Sequence, residues 1–589
     1  MTLTQPHAAE QTTWVATAAG EDAVLRLHQP TAPGAGTAVV LVPPFGWDDM
    51  CSYRPRRAMA LRLAAAGVPA ARLELPGAGD AEGGPWDADR LTAWTASVAA
   101  AAAHLRGVEG VQRVAAFGVG LGALLAWTAA AEGAAVDDLA LWAMPANGRQ
   151  LVRELRALSR LETQLPGGDP LPDGALAAAG YVLSGQTLAE LGAVDFAERP
   201  LGGGAGRRVL LLGRDGLAPP AAVVAAAEAG GARVELAPGP GFGAMLREPQ
   251  WAEEPVTVAE RLVAWAVASQ ESSPLFAPPP PALRDVLRLP AVRERALVLT
   301  GPRGGLPALI AEPDGTAAGA AGVRALLLNA GPQRHIGPNR LWVETARRWA
   351  ARGVPTARVD LGGIGDAQTA DVAHRDVGEL YTDDYVAEAR VVLEELDDGR
   401  PVLVAGLCSG GYWGLHAALE DERVAAVVLL NPRVLIWSRA RFELNDARNF
   451  SHQLLDPASW RKVLRGQVSW RRPLRLSRAV LRHLLRRLAR RPHRFVVAED
   501  PLGALLHRLP ERGTRLTLVF SGDEELAAEL DAVGHLERLA AHPLVDVHRI
   551  GDPAVDTHTL RPPALQREVA TILDAALDAV AGPAASRVD

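Results

Sequence analysis

Two segments of the sequence, 286 positions apart, nearly repeat each other. "GVPAARLELPGAGD" begins at Gly67 and "GVPTARVDLGGIGD" begins at Gly353, and nine of their fourteen positions are identical. Such a match indicates an internal duplication, so both halves of the chain are expected to fold into the same unit. At 589 residues the chain is also too long for one hydrophobic core. We therefore predict two large domains.

The segments around the repeat alternate between strand and helix character. In each half an apolar run precedes the repeat, from Thr37 and from Arg324. A second apolar run follows roughly forty residues later, from Arg113 and from Pro401, and leads through a Gly-rich turn into an Ala-rich helix. This alternation predicts an α/β fold with a mostly parallel sheet and helices on both faces.

A proline-rich stretch separates the two units. Residues 269–285, "SQESSPLFAPPPPALRD", contain four consecutive prolines, which favour an extended, semi-rigid spacer. We place the first domain at 1–268, the linker at 269–285 and the second domain at 286–589. Each domain has a long insertion after the strand that follows its Gly-rich turn, at about 147–201 and about 433–512, and we interpret each insertion as a helical lid.

The Gly-rich turn of the second half carries a cysteine and a serine side by side. "VLVAGLCSGGYW" contains the pattern Gly-x-Cys-x-Gly from Gly406 to Gly410, between a predicted strand and a predicted helix. That pattern is typical of a nucleophile elbow, in which a strained turn lifts the nucleophile above the sheet. We predict Cys408 as the nucleophile, because choosing Ser409 would put Leu407 where a small residue is needed. The alternative is a buried structural cysteine.

The same turn provides candidates for an oxyanion hole. The backbone N–H of Ser409 follows the nucleophile, and a second donor is expected from the loop after the strand "ALLLNAG". Gly331 is the candidate there, because the next residue, Pro332, has no N–H.

These motifs resemble the α/β-hydrolase superfamily, in the minority whose elbow carries cysteine, such as dienelactone hydrolases and some polyhydroxyalkanoate synthases. The stretches "LNAGPQRHIGPNRLW" and "RVDLGGIGD" also resemble bacterial α/β hydrolases associated with exosortase and polysaccharide gene clusters. The resemblance covers both halves apart from the lids and the linker. It implies two tandem α/β-hydrolase domains and a triad in the chain order nucleophile, acid, histidine.

The resemblance implies an acid after a late strand and a histidine after the last strand. Asp523 follows the apolar run "LTLVF" directly, with Glu524 and Glu525 as alternatives. His558 lies in a loop between the last predicted strand and a terminal helix, whereas His548 lies within that strand and is the poorer candidate. We therefore predict a Cys408–His558–Asp523 triad.

The first half departs from this pattern. Its elbow has Gly120 at the nucleophile position, Asp215 matches the acid, and the region expected to hold a histidine contains Phe242 instead. We predict a degenerate copy that lacks triad chemistry and whose pocket remains able to hold a ligand. The glycines around Gly120 also match a dinucleotide-binding fingerprint, but they follow the second strand–helix unit rather than the first, so no cofactor is expected.

The segment that follows the presumed oxyanion loop contains three polar residues that are predicted to line the substrate entrance: Arg334, His335 and Arg340. For His335, capping a helix or bonding to backbone is an equal alternative. No spacing of His, Cys or carboxylates suggests a metal site, so no metal is predicted.

The second lid contains a basic segment. Residues 459–494 hold twelve Arg, one Lys and no acid, in a chain of net charge −7. This segment predicts an amphipathic helix whose basic face either pairs with the protein's own acids or docks an anion. The anion would be a coenzyme A or phosphopantetheine phosphate, an acidic carrier protein or an anionic glycolipid, and the last would bring the lid into peripheral contact with a membrane. Nucleic acid is not expected, because no reading motif accompanies the charge.

The composition bounds the setting. No uncharged apolar run of eighteen residues occurs, which predicts no transmembrane segment and a cytoplasmic protein. The two cysteines, Cys51 and Cys408, fall in different domains, so no disulfide is expected.

Together these features predict an acyl hydrolase or acyltransferase that forms an acyl-enzyme intermediate. Thioester donors are favoured, because thiol attack on a thioester exchanges like bonds. Two alternatives remain open: a non-catalytic binding or scaffold protein, and a lyase or isomerase that uses His558 only as a base.

Overall fold

The computed structural model describes residues 10–30, 36–161, 171–268, 281–315, 322–367, 377–437, 501–552 and 557–581. These residues form two nine-stranded sheets and one two-stranded hairpin. Most of the second predicted lid and the proline-rich part of the linker, residues 438–500 and 269–280, lie outside the described residues.

The first half alternates strands and helices from its third strand onward. Its strands are β1 (Glu10–Ala16), β2 (Asp22–His28), β3 (Thr37–Val42), β4 (Ala70–Glu74), β5 (Arg113–Val119), β6 (Asp138–Trp142), β7 (Leu176–Ala178), β8 (Tyr181–Leu183), β9 (Arg208–Leu212) and β10 (Arg233–Ala237). Its helices are α1 (Trp47–Ala65), α2 (Arg90–Arg106), α3 (Leu121–Ala131), α4 (Gly148–Leu161), α5 (Gly185–Gly192), α6 (Ala221–Ala229), α7 (Phe242–Met245) and α8 (Val256–Val267).

The second half follows the same plan. Its strands are β11 (Leu283–Arg284), β12 (Val286–Leu289), β13 (Val292–Gly301), β14 (Gly304–Pro313), β15 (Arg324–Leu328), β16 (Thr356–Val359), β17 (Val402–Leu407), β18 (Val424–Leu430), β19 (Arg515–Ser521) and β20 (Val545–Ile550). Its helices are α9 (Leu341–Ala351), α10 (Asp383–Glu395), α11 (Ser409–Glu420), α12 (Pro501–Glu511), α13 (Glu525–Ala532), α14 (His535–Ala540) and α15 (Pro563–Ala581).

The two large sheets have the same strand order. The first runs β10-β9-β6-β5-β3-β4-β2-β1-β11 and the second runs β20-β19-β18-β17-β15-β16-β14-β13-β12. Within the two large sheets, neighbouring strands are parallel among β3, β4, β5, β6, β9 and β10 and among β15 to β20. The strands β1 and β2 of the first sheet and β13 and β14 of the second pair antiparallel with their neighbours. The chain thus contains two tandem α/β domains, each with a mostly parallel sheet between helices. The fold class predicted from the sequence is confirmed.

The end of the predicted linker is strand rather than spacer. β11 pairs antiparallel with β1 of the first sheet, and β12 pairs with β13 of the second sheet, so only Asp285 separates the two sheets along the chain. Pairing with β11 covers backbone groups of β1 that a sheet edge would otherwise leave open.

Both faces of each large sheet are buried. In the first half, Trp127 packs in the cluster on one face and Trp142 in the cluster on the other. In the second half, Trp413 and Trp349 lie in the two corresponding clusters. Strands buried on both faces read as continuous apolar runs, which is why the sequence displays them so clearly. The turns at the carboxyl ends of these strands carry the polar groups.

The two halves contact each other through buried charges. Arg72 of the first half donates to Asp366 of the second at 2.6 Å, and Arg358 of the second donates to Asp80 of the first at 2.5 Å. Arg72 and Arg358 are 286 positions apart, and so are Asp80 and Asp366. Equivalent residues therefore make equivalent bonds across the interface. The halves pack as the subunits of a two-fold symmetric dimer do, each using the same surface.

His335 lies at the centre of this interface. Its side chain is fully buried between two carboxylates, with Nε2 2.7 Å from Asp80 and Nδ1 2.9 Å from Asp360. Burial alone would lower the pKa of His335, but the charges of Asp360 and Asp80 raise this pKa to about 9. At neutral pH the imidazole is therefore protonated and bridges the two halves.

This raised pKa predicts how stability depends on pH. A histidine whose pKa rises from its unfolded value of about 6.5 contributes its full stability below that pH and loses it as the pH passes about 9. We expect the difference in the free energy of unfolding in urea between wild type and His335→Gln to fall between pH 6.5 and 9.5 by an amount on the order of 3 kcal/mol. Taking the difference removes the contributions that other titrating groups make to both proteins. A difference that is level or rises in this window would contradict the assignment.

Candidate active site

The candidate nucleophile lies at a strained turn between β17 and α11. Cys408 has φ 54° and ψ −113°, a backbone conformation that residues with a side chain rarely adopt. Its neighbours leave no room for a side chain: a Cβ on Gly406 would lie 2.2 Å from the carbonyl oxygen of Gly410, and one on Gly410 would lie 2.5 Å from that of Asn329. The two glycines therefore permit the tight turn that holds the thiol above the sheet.

The thiol of Cys408 lies next to an imidazole and a phenol. His558 hydrogen-bonds to the thiol, and its Nδ1 lies 2.7 Å from Oε1 of Glu524, which leaves Nε2 for the sulfur. The hydroxyl of Tyr381 lies 3.9 Å from Sγ. The structure thus brings together Cys408 and His558, which are 150 positions apart in the sequence.

The carboxylate on His558 is that of Glu524, one residue later than the predicted Asp523. β19 ends at Ser521, and Glu524 is the residue that precedes α13, with its backbone still extended. The turn after β19 is thus long enough to carry Asp523 past the position that faces the histidine. The side chain of Glu524 is 9% exposed, and its extra methylene lets it reach Nδ1.

The thiol and the imidazole change each other's ionisation. Burial would raise the pKa of the Cys408 thiol, but the charge and hydrogen bond of His558, together with Arg433 and the Tyr381 hydroxyl, lower it below its usual value. Burial would lower the pKa of His558, but Cys408 and Glu524 raise it to about 10. The His558 imidazole is therefore protonated at neutral pH, and its positive charge favours the thiolate form of Cys408.

Arg433 and Tyr381 were not singled out from the sequence. Arg433 follows β18, on the strand next to the elbow strand, and its positive charge acts on Cys408. Tyr381 is buried, stacks on Trp437 with ring centroids 4.9 Å apart, and follows Leu380, whose carbonyl accepts a hydrogen bond from the Trp413 indole. The sequence signal for Arg433 is its position just after a strand of the parallel sheet, where site residues collect. No local sequence pattern around Tyr381 indicates a site residue.

The loop that carries His558 is held by Asn431. Its Nδ2 donates to Ser521 Oγ at 2.7 Å and to the carbonyl of His558 at 2.9 Å. Its Oδ1 accepts from the backbone N–H of Ser521 at 2.8 Å, and Ser521 Oγ donates to the carbonyl of Thr557 at 3.0 Å. These bonds connect the ends of two neighbouring strands to the histidine loop and fix where the imidazole points.

Of the two predicted oxyanion donors, one is already used. The N–H of Gly331 donates to Oγ of Ser409 at 2.7 Å, so it does not point freely at the site. The N–H of Ser409 is the first of α11 and has no partner within that helix. The prediction for Gly331 failed to take account of the Ser409 hydroxyl, which must turn away before that N–H becomes available.

The three predicted entrance residues belong instead to the contact between the halves. Arg334, His335 and Arg340 are all less than 4% exposed. Arg334 pairs with Glu74, His335 pairs with Asp80, and Arg340 donates to backbone carbonyls of the turn around Asp80. The prediction that they line the substrate entrance is wrong, because the loop after β15 passes the elbow at Gly331 and then, from Arg334 onward, turns toward the first half.

The first half keeps the backbone of the elbow without its chemistry. Gly120 has φ 56° and ψ −114°, within a few degrees of Cys408, but carries no side chain. Asp215 accepts hydrogen bonds from three consecutive backbone N–H groups, those of residues 241–243. In the second half the corresponding acid, Glu524, contacts His558, whereas the hydrogen bonds that Asp215 makes to described residues of the first half are to backbone N–H groups.

The remaining expectations from the sequence concern the basic segment, metal sites, membrane spans and the cysteines. The basic segment 459–494 lies outside them. Within the described ranges, no three or more His, Cys, Asp or Glu side chains are grouped as metal ligands. The helices of that part of the chain are too short or too polar to cross a membrane. Both cysteines are unpaired, and Cys51 is buried.

No protein-family model and no curated protein match the sequence. Solved structures match up to half of the length of the chain. Est1E from Butyrivibrio proteoclasticus, bound to ferulic acid, is 17% identical, with 44% of this chain and 99% of that chain covered and a TM-score of 0.33. Dienelactone hydrolase from Anabaena variabilis is 14% identical, with 50% and 100% covered and a TM-score of 0.30. An esterase from Pyrococcus furiosus is 12% identical, with 49% and 92% covered and a TM-score of 0.32.

Proposed function

We propose that the second half is an acyl-transfer enzyme of the hydrolase type that forms a covalent acyl-cysteine. The observation that carries this proposal is the hydrogen-bonded series of the Cys408 thiol, the His558 imidazole and the Glu524 carboxylate at a nucleophile elbow. Nucleophile, base and orienting acid stand in the arrangement that nucleophilic catalysis requires.

The reaction starts from the ion pair. The thiolate of Cys408 attacks the acyl carbonyl carbon, and the N–H of Ser409 donates to the developing oxyanion. When the intermediate collapses, the bond to the leaving group breaks and the leaving group takes the Nε2 proton of His558. Water, or an alcohol or amine acceptor, then gives its proton to the neutral His558 and attacks the acyl-cysteine. The thiolate of Cys408 leaves, so the ion pair is restored.

A thioester is the donor that suits this site best. Attack of Cys408 on a thioester replaces one C–S bond by another, so the acyl-enzyme forms with little change in bond energy. Attack of Cys408 on an oxygen ester would instead convert the ester into a thioester of higher energy. Donors on coenzyme A or on a carrier protein carry phosphate, which suits the positive charge of the segment 459–494.

The test is intact-mass analysis of the full chain after incubation with acyl thioesters and oxygen esters that share the same acyl groups. We expect a mass increase equal to the acyl group, formed faster from the thioester, and located on Cys408 by peptide mapping. Free acid among the products identifies water as the acceptor, and an acylated alcohol or amine identifies transfer. If no donor gives either an adduct or turnover, the proposal is overturned and a non-catalytic binding protein is favoured.

The choice between Glu524 and Asp523 is tested by two matched substitutions. Glu524→Gln should lower kcat about 10²–10⁴-fold, because the imidazolium loses the carboxylate that orients and stabilises it. It should also raise the pH at which iodoacetamide alkylation of Cys408 reaches half its maximal rate, a readout that a purely structural role would not move. Asp523→Asn should stay within threefold of wild type in both assays. The reverse pattern would restore Asp523 as the acid.

A further inference from the structure

The first half contains a cavity of about 610 Å³ at the carboxyl ends of its parallel strands. This volume lies in the range of small-molecule binding sites. Most of its lining is apolar and comes from the elbow, the loop after β3, the helix α4 and the end of β9; it includes Phe45, Leu121, Leu151, Leu155, Leu212 and Phe242.

The degenerate elbow leaves this cavity open. A Cβ built on Gly120 would meet no atom within 4 Å, so the space that the nucleophile's side chain takes up in the second half is empty here. Because Gly120 lines the cavity, that space belongs to it. With no nucleophile, and with Asp215 bound to backbone, the cavity offers binding without reaction.

The polar groups of the cavity are mainly acidic. Asp48 and Glu154 both line it, and Arg214 is the basic residue of its lining. Arg214 is 3.7 Å from Glu154 and lies over the ring of Phe242 at 4.6 Å, so its charge is already shared. In the described part of the chain, the carboxylate of Asp48 makes no hydrogen bond and no ion pair.

An unpartnered carboxylate in an apolar cavity is costly. Burial, together with the nearby charges of Asp49 and Glu154 and against the opposing charge of Arg214, raises the pKa of Asp48 to about 6. A cation that enters the cavity would relieve this cost by pairing with Asp48. An anion would face two carboxylates and gain only a guanidinium that is already paired.

We propose that this cavity binds an apolar amine, with the ammonium group on Asp48 and the hydrocarbon body against Phe45 and the leucines of α4. The assignment goes beyond the acyl-transfer function and does not depend on it, because the residues involved all belong to the first half. It gives the degenerate domain a function of its own, the recognition of a cationic amphiphile.

The test compares three probes that share one hydrocarbon body: 4-phenylbutylamine, 4-phenylbutanol and 4-phenylbutanoate. Binding to the full chain is measured by isothermal titration calorimetry at pH 7.5. We expect the amine to bind at least tenfold more tightly than the alcohol, and the carboxylate to bind more weakly than either. Asp48→Asn, which keeps the size of the side chain, should bring the amine and the alcohol to equal affinity.

A cavity-filling variant locates the site. Gly120→Met should abolish binding of both the amine and the alcohol, because the new side chain enters the cavity. Cys408 shows that a residue with a side chain fits this backbone conformation. Gly133→Met is the matched control: Gly133 also has positive φ, 93°, and open space around its Cβ, but lies outside the cavity.

Three results would overturn the proposal. These are the absence of saturable amine binding, amine affinity no greater than that of the alcohol or the carboxylate, and amine binding that survives Gly120→Met. Thermal unfolding of each variant verifies that it folds. If Gly120→Met does not fold, the Asp48→Asn comparison still decides the outcome.

Discussion

Cys408→Ala is expected to abolish the acyl adduct and to lower kcat for thioester turnover by about 10⁴–10⁶-fold, the range seen when a catalytic nucleophile is removed. The physical reason is that the charges of His558 and Arg433 favour the thiolate form of Cys408, whereas alanine has no side-chain group that could attack a carbonyl. Turnover is measured by release of the free thiol from an acyl thioester, and the adduct by intact mass.

Ser409→Ala is the matched control, since it alters the neighbouring side chain and leaves the thiol and the imidazole in place. It removes only the hydroxyl that accepts the Gly331 N–H, so we expect kcat to change by less than about tenfold. Cys408→Ser should be nearly as inactive as Cys408→Ala, because a hydroxyl is not ionised under these conditions. An inactive Ser409→Ala beside an active Cys408→Ala would identify the serine as the nucleophile.

Asp80→Asn is expected to lower the free energy of unfolding by about 3–5 kcal/mol, the cost of removing one partner from a buried ion pair. Asp80 is fully buried and contacts three cations, Arg26, Arg358 and His335. With a neutral amide in place of Asp80, these three positive charges lose the carboxylate that they share and repel one another more strongly. The measurement is equilibrium unfolding of the full chain in urea at pH 7.

Two comparisons show whether the interface is responsible. Asp366→Asn, at the equivalent position of the second half, should destabilise by a similar amount, because the two halves use the same surface. Glu420→Gln breaks an exposed pair with Arg390 and should cost no more than about 1 kcal/mol. Equal effects of Asp80→Asn and Glu420→Gln would contradict the role assigned to the buried charges.

The duplication and the candidate nucleophile could be predicted because their signals are local. A strand buried on both faces must be continuously apolar, and a tight elbow must have small residues beside the nucleophile, as the close approaches at Gly406 and Gly410 show. The choice of His558 came from the resemblance, which implies a histidine after the last strand, and that end of the strand lies at the same edge of the parallel sheet as the elbow. Glycine at position 120 excluded triad chemistry in the first half directly.

What the sequence determined by itself was the twin α/β architecture, the elbow and the single half that carries a candidate nucleophile. The tertiary structure decided which carboxylate reaches His558, because that depends on the length of one turn, and it showed that the Ser409 hydroxyl already occupies the N–H of Gly331. It also decided that Arg334, His335 and Arg340 join the halves rather than line a site. The sequence shows that a residue is charged and, if buried, must have a partner of opposite charge. Which residue becomes that partner depends on how one half packs against the other.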